Sequence, residues 1–205
     1  MRNNFKTVSD FNNYTEFFLE ENSKHNLISK NDEKLLYAKH IYDSLSLKLF
    51  LEKYNINEAK ILDIGCGGGF PCIPLAIEFP NLQIIGIDSI RKKINSVQTI
   101  AEKLKLKNIS FICDRVENIK NNDFDIIISR AVADMSKISE YALPKLKKGG
   151  FFIAYKSKKA LEELDGAKDV LKKYSAKVID IIPYTLPLEE VYERNLICIQ
   201  KLWKK

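Results

Sequence analysis

Four glycines in five residues, Gly65, Gly67, Gly68 and Gly69, break off the apolar run Ile61-Leu62-Asp63-Ile64. A lone acid, Asp88, ends a second apolar run, Leu82–Ile87, 23 positions after Gly65 (65 to 88). Glycine lets a backbone approach a ligand where a Cβ would collide, and a carboxylate at the next strand end accepts hydrogen bonds from ribose hydroxyls. The pattern therefore predicts a nucleoside site. The loop that cradles a pyrophosphate needs a further glycine at position 70, where Phe70 stands, and no Gly-Lys-Ser/Thr sequence serves a triphosphate. A nucleoside without a pyrophosphate points to S-adenosylmethionine (SAM) rather than NAD or ATP. The plainer reading of Gly65, Gly67 and Gly69 is a tight turn, and that of Asp88 a helix cap. Phe70 is either core or a wall for the adenosine.

In open α/β sheets ligands lie beyond the carboxyl ends of the strands, so the other strand ends complete the candidate site. The third carries Asp114 and the pair Val116-Glu117, which would flank the adenine. The fourth ends in Ser129-Arg130. Arg130 follows the apolar run Phe124–Ile128 and enters the cleft, either to grip a carboxylate or a guanine O6/N7 edge, or as half of a structural salt bridge. Lys92, Lys93, Lys156, Lys158 and Lys159 fall on one rim, the footprint of a phosphate backbone, although each alone reads as solvated surface. His40 and Asp43, three apart on one helical face, either cap the cleft or hold the N-terminal helices to the sheet.

The elements that must position these groups follow from periodicity. Phe11, Tyr14, Phe17 and Phe18 recur at helical spacing, with a polar break at Glu20–Lys24. A second helical region runs from near Asn31 to Phe50, with a break near Ser44–Ser46. Strands are expected at 60–64, 82–87, 109–113, 124–129 and 150–155. Helices are expected near 71–79, 91–106, 135–147 and 159–174, with Gly149-Gly150 ending the helix before the fifth strand. Two last strands, near 176–183 and 194–202, are close enough to pair as an antiparallel hairpin. Alternation of this kind means right-handed βαβ crossovers. The expected fold is a doubly wound, mostly parallel, seven-stranded α/β sheet of Rossmann-like SAM-dependent methyltransferase type. It comprises an N-terminal helical extension, 1–58, on one compact core, 59–205.

At 205 residues and 45% hydrophobic composition the chain can bury one core. A net charge of +6, from 33 basic and 27 acidic residues, leans toward an anionic partner. The four cysteines form no C-x-x-C pair and lack histidines at metal spacing, so reduced thiols and no metal are expected. Without a signal peptide or an apolar run of membrane-spanning length, a cytoplasmic protein with no membrane partner is expected, and a monomer.

Three blocks then carry a resemblance: Lys39–Leu45 (KHIYDSL), Asp63–Leu75 (DIGCGGGFPCIPL) and Ser129–Ala133 (SRAVA), with Asn26-Leu27 as a weaker fourth. From about residue 11 onward the chain resembles the small-subunit ribosomal RNA methyltransferase G family, also called glucose-inhibited division protein B. The resemblance implies SAM-dependent methylation of N7 of a single guanine, in the 527 region, of 16S rRNA. The partner would be 16S rRNA or the assembling small ribosomal subunit. It also implies Gly65, Phe70, Val116, Glu117 and Arg130 as cofactor contacts, to which the reading of the strand ends adds Gly67 and Asp88, with Arg130 the candidate catalytic residue. Cys72 stands where the family usually has glycine, and a tryptophan common near Phe18 is missing. Guanine N7 carries a free lone pair, so no general base is required and none is evident. Without the resemblance, the residues also fit a SAM enzyme acting on another RNA or a small molecule, a non-catalytic RNA-binding module, or, less well, a dehydrogenase.

Overall fold

A computed structural model describes residues 9–157 and 160–203. Seven strands form one sheet: β1 (Ala59–Ile64), β2 (Leu82–Asp88), β3 (Ile109–Cys113), β4 (Phe124–Arg130), β5 (Leu146–Ser157), β6 (Ala176–Leu186) and β7 (Tyr192–Lys201). Their order is β3-β2-β1-β4-β5-β7-β6. The first five run parallel, and β7 pairs antiparallel with both β5 and β6. The expected sheet and closing hairpin are thus present, and strand order reverses between β1 and β4.

The Ile- and Leu-rich runs of β1, β2 and β4 reflect burial on both faces, as parallel sheets require. Along β1, Ile61 joins one apolar cluster while Leu62 and Ile64 join the other. Nine α-helices lie among the described residues: α1 (Asn12–His25), α2 (Lys30–Glu33), α3 (Tyr42–Leu45), α4 (Leu47–Lys53), α5 (Cys72–Glu78), α6 (Arg91–Lys103), α7 (Met135–Ala142), α8 (Ala160–Glu163) and α9 (Lys168–Lys173). The N-terminal helices, α5 and α6 cover one face, α7 and α9 the other. In α6 the buried Ile94, Val97, Ile100 and Ala101 recur at helical spacing. In α7 the Asp134 side chain caps the first turn by accepting from Lys137 N at 2.9 Å.

Several expectations are corrected. The polar stretch Glu20–Lys24 does not break α1, which runs on to His25 with Glu21 and Asn22 buried. Asn22 explains this: its Oδ1 accepts from Ile28 N (2.8 Å) and its Nδ2 donates to Glu33 Oε1 (2.7 Å), stitching down the chain beyond the helix. The second helical region is divided into α2, a π-helical turn (Leu36–Ile41), α3 and α4, with the break at Ser46. Gly149-Gly150 do not end a helix. Helix α7 stops at Ala142, a 3-10 turn spans Leu143–Lys145, and both glycines lie inside β5. There Phe124 faces Leu146 but Ile126 faces Phe151, so β5 carries an excursion of extra residues. Gly149 takes φ +81° within it, and a Cβ on Gly150 would fall 2.9 Å from Asp125 O. The helix expected over 159–174 is interrupted by a 3-10 turn at Asp165–Ala167.

Candidate functional site

The reversal point opens into a cleft of about 550 Å³, within the range of small-molecule sites. Its floor is the β1 loop. Gly65 N and Cys66 N both donate to Ile87 O, at 2.8 and 3.0 Å, which locks the loop to β2. Gly65 turns with φ +72°, and a Cβ there would lie 2.5 Å from Val132 Cγ2. Gly67 differs. Its φ is +53°, yet a Cβ would meet nothing nearer than Gly65 O at 3.8 Å. The space over Gly67 is room for a ligand rather than for a neighbouring side chain, which fits the group expected at this loop.

Asp88 holds two pieces of backbone at once. Oδ1 accepts from Ile90 N (2.8 Å) ahead of α6, and Oδ2 accepts from Gly67 N (3.0 Å). Each oxygen keeps a second lone pair for a ribose hydroxyl. At the end of β3, Asp114 Oδ1 accepts from Arg115 N and Asn118 Nδ2, both at 2.7 Å, so Asp114 braces the turn. Val116 is buried and Glu117 exposed, and both line the cleft with Asp114 and Arg115.

On the other side stand Phe70, His40 and Arg130. Phe70 is buried against Phe18 (ring centroids 5.0 Å), Tyr14 (6.2 Å) and His40 (4.9 Å), and the Arg130 guanidinium lies 5.2 Å from its centroid. It is therefore core for the N-terminal helices and wall for the cleft at once. Arg130 Nη1 donates to Asp43 Oδ2 (3.0 Å) and Lys39 O (3.3 Å), and its Nη2 lies 3.1 Å from His40 Nδ1. The structural salt bridge thus exists, and Arg130 remains a lining residue of the cleft. Asp43, buried, also accepts from Tyr184 Oη at 2.6 Å and lies within 3.3 Å of Arg194 Nε. His40 and Asp43 therefore share Arg130, one at the cleft and one beneath it.

Beneath the loop, Asp63 is buried, with Oδ2 accepting from Cys72 N (3.3 Å) and Oδ1 without a hydrogen bond in the protein. Burial pushes its carboxyl up to about 7. Burial, and then the charge of Arg130, pull His40 down to about 4. Its Nε2 is enclosed with no protein partner, a situation that costs on the order of 1–3 kcal/mol if uncompensated.

The expected basic rim divides. Lys92 is exposed at the start of α6 and Lys93 lines the cleft. Lys156 is not a free rim cation: its Nζ donates to Ala133 O and pairs with Glu163 Oε2, both at 2.7 Å. Its side chain is only 14% exposed. Lys158 and Lys159 lie outside the described residues. Arg115 and Val132, at the expected strand ends, also line the cleft, as do Leu27, Ile28 and Tyr141, which sequence reasoning did not place there. Leu27 is brought in by Gly68, where a Cβ would lie 3.2 Å from Leu27 Cβ, a closeness that no local pattern announces. Among the described residues, no helix is long and apolar enough to cross a membrane, and no group of three or more His, Cys, Asp or Glu could hold a metal.

A glycine loop and strand-end acid at the reversal point of a seven-stranded sheet, closed by an antiparallel hairpin, define the class of SAM-dependent methyltransferase folds. M. jannaschii TYW2, solved in complex with AdoMet, shares it with TM-score 0.60 over 78% of this chain and 77% of its own, at 16% identity. A SAM-dependent O-methyltransferase from Thermotoga maritima shares it with TM-score 0.58 over 80% and 66%, also at 16% identity. Within that class the chain belongs to the GidB family, rRNA small subunit methyltransferase G, which it matches over residues 7–190. It is 42% identical to "Ribosomal RNA small subunit methyltransferase G" of Staphylococcus saprophyticus over 200 residues, 96% of this chain and 82% of that one. The same-named protein of Oceanobacillus iheyensis is also 42% identical, over 96% of this chain and 83% of its own.

Proposed function

We propose that this chain methylates N7 of one guanine of 16S rRNA, in the 527 region, with SAM as methyl donor. One observation carries the reading: in a member of this family, the loop at Gly67 leaves open the space that a nucleoside would enter, beside the Asp88 carboxylate. Gly65, Gly67, Asp88, Val116 and Glu117 would hold the nucleoside part, and Phe70, His40 and Arg130 the amino-acid part or the incoming guanine.

When bound, the donor supplies a methyl group on a sulfonium centre, and the C–N bond to N7 forms as the C–S bond breaks. No proton has to be removed first, so the chain needs no catalytic base. Its contribution is placement in line and exclusion of water. Arg130, pinned at Nη1 by Asp43, is held rigid at the β4 end, where the guanine would arrive. In A-form RNA the N7 edge lies in a deep, narrow groove. The target must therefore sit in a loop, a distorted helix or incompletely assembled RNA. The basic side chains at Lys92, Lys93 and Arg115 would contact its phosphates.

Mapping N7-methylguanine in 16S rRNA from cells with and without the gene tests this directly. Loss of one modified guanine on deletion is expected. An unchanged map, with the purified chain transferring no methyl group to small-subunit RNA, would overturn it.

A further inference from the structure

Helix α7 buries Met135, Ile138 and Ala142, and Tyr141 follows Ile138 by three residues on the same flank. Tyr141 is half-buried against the apolar cluster that contains Val116 and Ile138, and it lines the cleft. Tyr155, Tyr174 and Tyr184 each spend their hydroxyl inside the protein, on Ser44 O (2.8 Å), Glu140 Oε2 (2.8 Å) and Asp43 Oδ1 (2.6 Å). Tyr141 does not. Among the described residues its hydroxyl makes no hydrogen bond, yet the oxygen is not enclosed. Four residues on, Lys145 Nζ donates to Ile119 O at 2.9 Å, which ties this end of α7 to the turn Val116–Asn118 after β3. That bond and the shared packing with Val116 place Tyr141 on the β3 side of the cleft, with an open hydroxyl that the mechanism above does not use.

We propose that Tyr141 is a specificity-determining residue of the methyl-donor site, its hydroxyl hydrogen-bonding the six-membered ring of the adenine. The inference rests on the proposed function and deepens it. Position favours this end of the ligand. Asp88, at the tip of β2, would take the ribose, and the ribose joins the base through its five-membered ring. The six-membered ring is then the end of the base remote from Asp88, left for the β3 side where Val116 and Tyr141 stand. Chemistry favours it too. Val116 offers the base apolar surface but no polar group on its side chain, whereas a phenol hydroxyl both donates and accepts, so it suits the 6-amino group or a ring nitrogen. A half-buried tyrosine with its ring on the core and its polar end open is the kind of group that fixes the orientation of a ligand in an apolar cleft.

Calorimetry on the full chain tests the proposal with S-adenosylhomocysteine and its analogue carrying benzimidazole in place of adenine, which lacks the 6-amino group and both nitrogens of the six-membered ring. Tyr141→Phe keeps the ring on its apolar cluster and removes only the hydroxyl. It should weaken S-adenosylhomocysteine about 3- to 10-fold and leave the benzimidazole analogue unchanged, so the preference for adenine narrows by the same factor. Its urea midpoint should match that of wild type, because the lost hydroxyl bonds nothing in the protein. Equal loss for both ligands, or none for either, would overturn the proposal, as would a wild-type protein that binds the two equally. So would unchanged affinities with a raised KM for RNA, which would give the hydroxyl to the substrate instead. Wild-type protein binding neither ligand would overturn the functional reading itself, a result distinct from these.

Discussion

Tyr184 Oη donates to Asp43 Oδ1 at 2.6 Å, joining β6 to the N-terminal helices across 141 residues of chain. The same carboxylate accepts from Arg130 at the β4 end and faces Arg194 on β7. The Arg130 side of the cleft is thereby tied to β6 and β7 through one buried carboxylate between two guanidiniums. Asp43→Ala leaves both cations without their counter-charge and should cost about 3–5 kcal/mol in urea unfolding. Asp43→Asn should cost less, since an amide oxygen can still accept from Tyr184. A loss under about 1 kcal/mol for the alanine variant would show that the cluster holds nothing together. The network also sets what Arg130→Ala should do. It strips a partner from a buried carboxylate, so lost methylation should come with lower stability rather than with folding untouched.

The glycine loop makes a second prediction by contrast. Gly67→Ala places a methyl group in open cleft at φ +53°. It should cost roughly 1–2 kcal/mol of backbone strain, fold normally, and weaken SAM binding by at least tenfold. Gly65→Ala meets Val132 Cγ2 at 2.5 Å besides its φ of +72°, so it should lose more stability than Gly67→Ala. Thermal unfolding alongside SAM titration separates the two. Equal stability losses, or wild-type affinity in Gly67→Ala, would contradict the geometry.

Much of this was legible in the sequence because it is local. The apolar strands, the glycines at the first strand–helix junction and Asp88 at the second each declare themselves within a few residues. What was illegible is long-range. Nothing near Lys156 announces that Glu163 and Ala133 O will claim its ammonium, and nothing near Asn22 announces that its amide will keep α1 helical through a polar stretch. Gly149-Gly150 carry the ordinary signature of a helix end, yet the partner register of β4 and β5 decides their place. His40 and Asp43 were recognisable as a pair. That Arg130 lies between them required the fold.

Charge on the rim gives a third prediction, for binding to small-subunit RNA. Removing one lysine that neutralises a phosphate should lower the slope of log K against log salt by roughly 0.7–0.9. Lys92→Ala and Lys93→Ala should each weaken binding and flatten that slope. Lys156→Ala should leave the slope nearly unchanged, because its ammonium is already neutralised by Glu163. A flattening at Lys156 equal to that at Lys93 would mean the pair opens to receive RNA.

Two groups with opposite shifts, the half-buried His40 and the buried Asp63, make stability respond to pH in a way single variants can separate. His40 sits at about 4, against 6.5 when unperturbed. Between these values the unfolded chain binds a proton that the folded chain refuses, so this group removes stability as pH falls from 6.5 toward 4. Asp63 sits at about 7, against 3.8. Between those values the folded chain keeps a proton that the unfolded chain has released, so this group removes stability as pH rises from 3.8 toward 7. Over pH 4–6.5 the two slopes oppose each other, each at most about 1.4 kcal/mol per pH unit. His40→Gln leaves Asp63 uncompensated, so relative to wild type it should lose stability as pH rises from 4 to 6.5. Asp63→Asn leaves His40 uncompensated and should lose stability relative to wild type as pH falls through the same window. The remaining carboxylates are common to all three proteins and cancel in the differences. Urea unfolding at half-unit steps from pH 4 to 7.5 reads both, and difference curves that are flat, or that slope the same way, would mean at least one of these side chains is not held as buried as its surroundings imply.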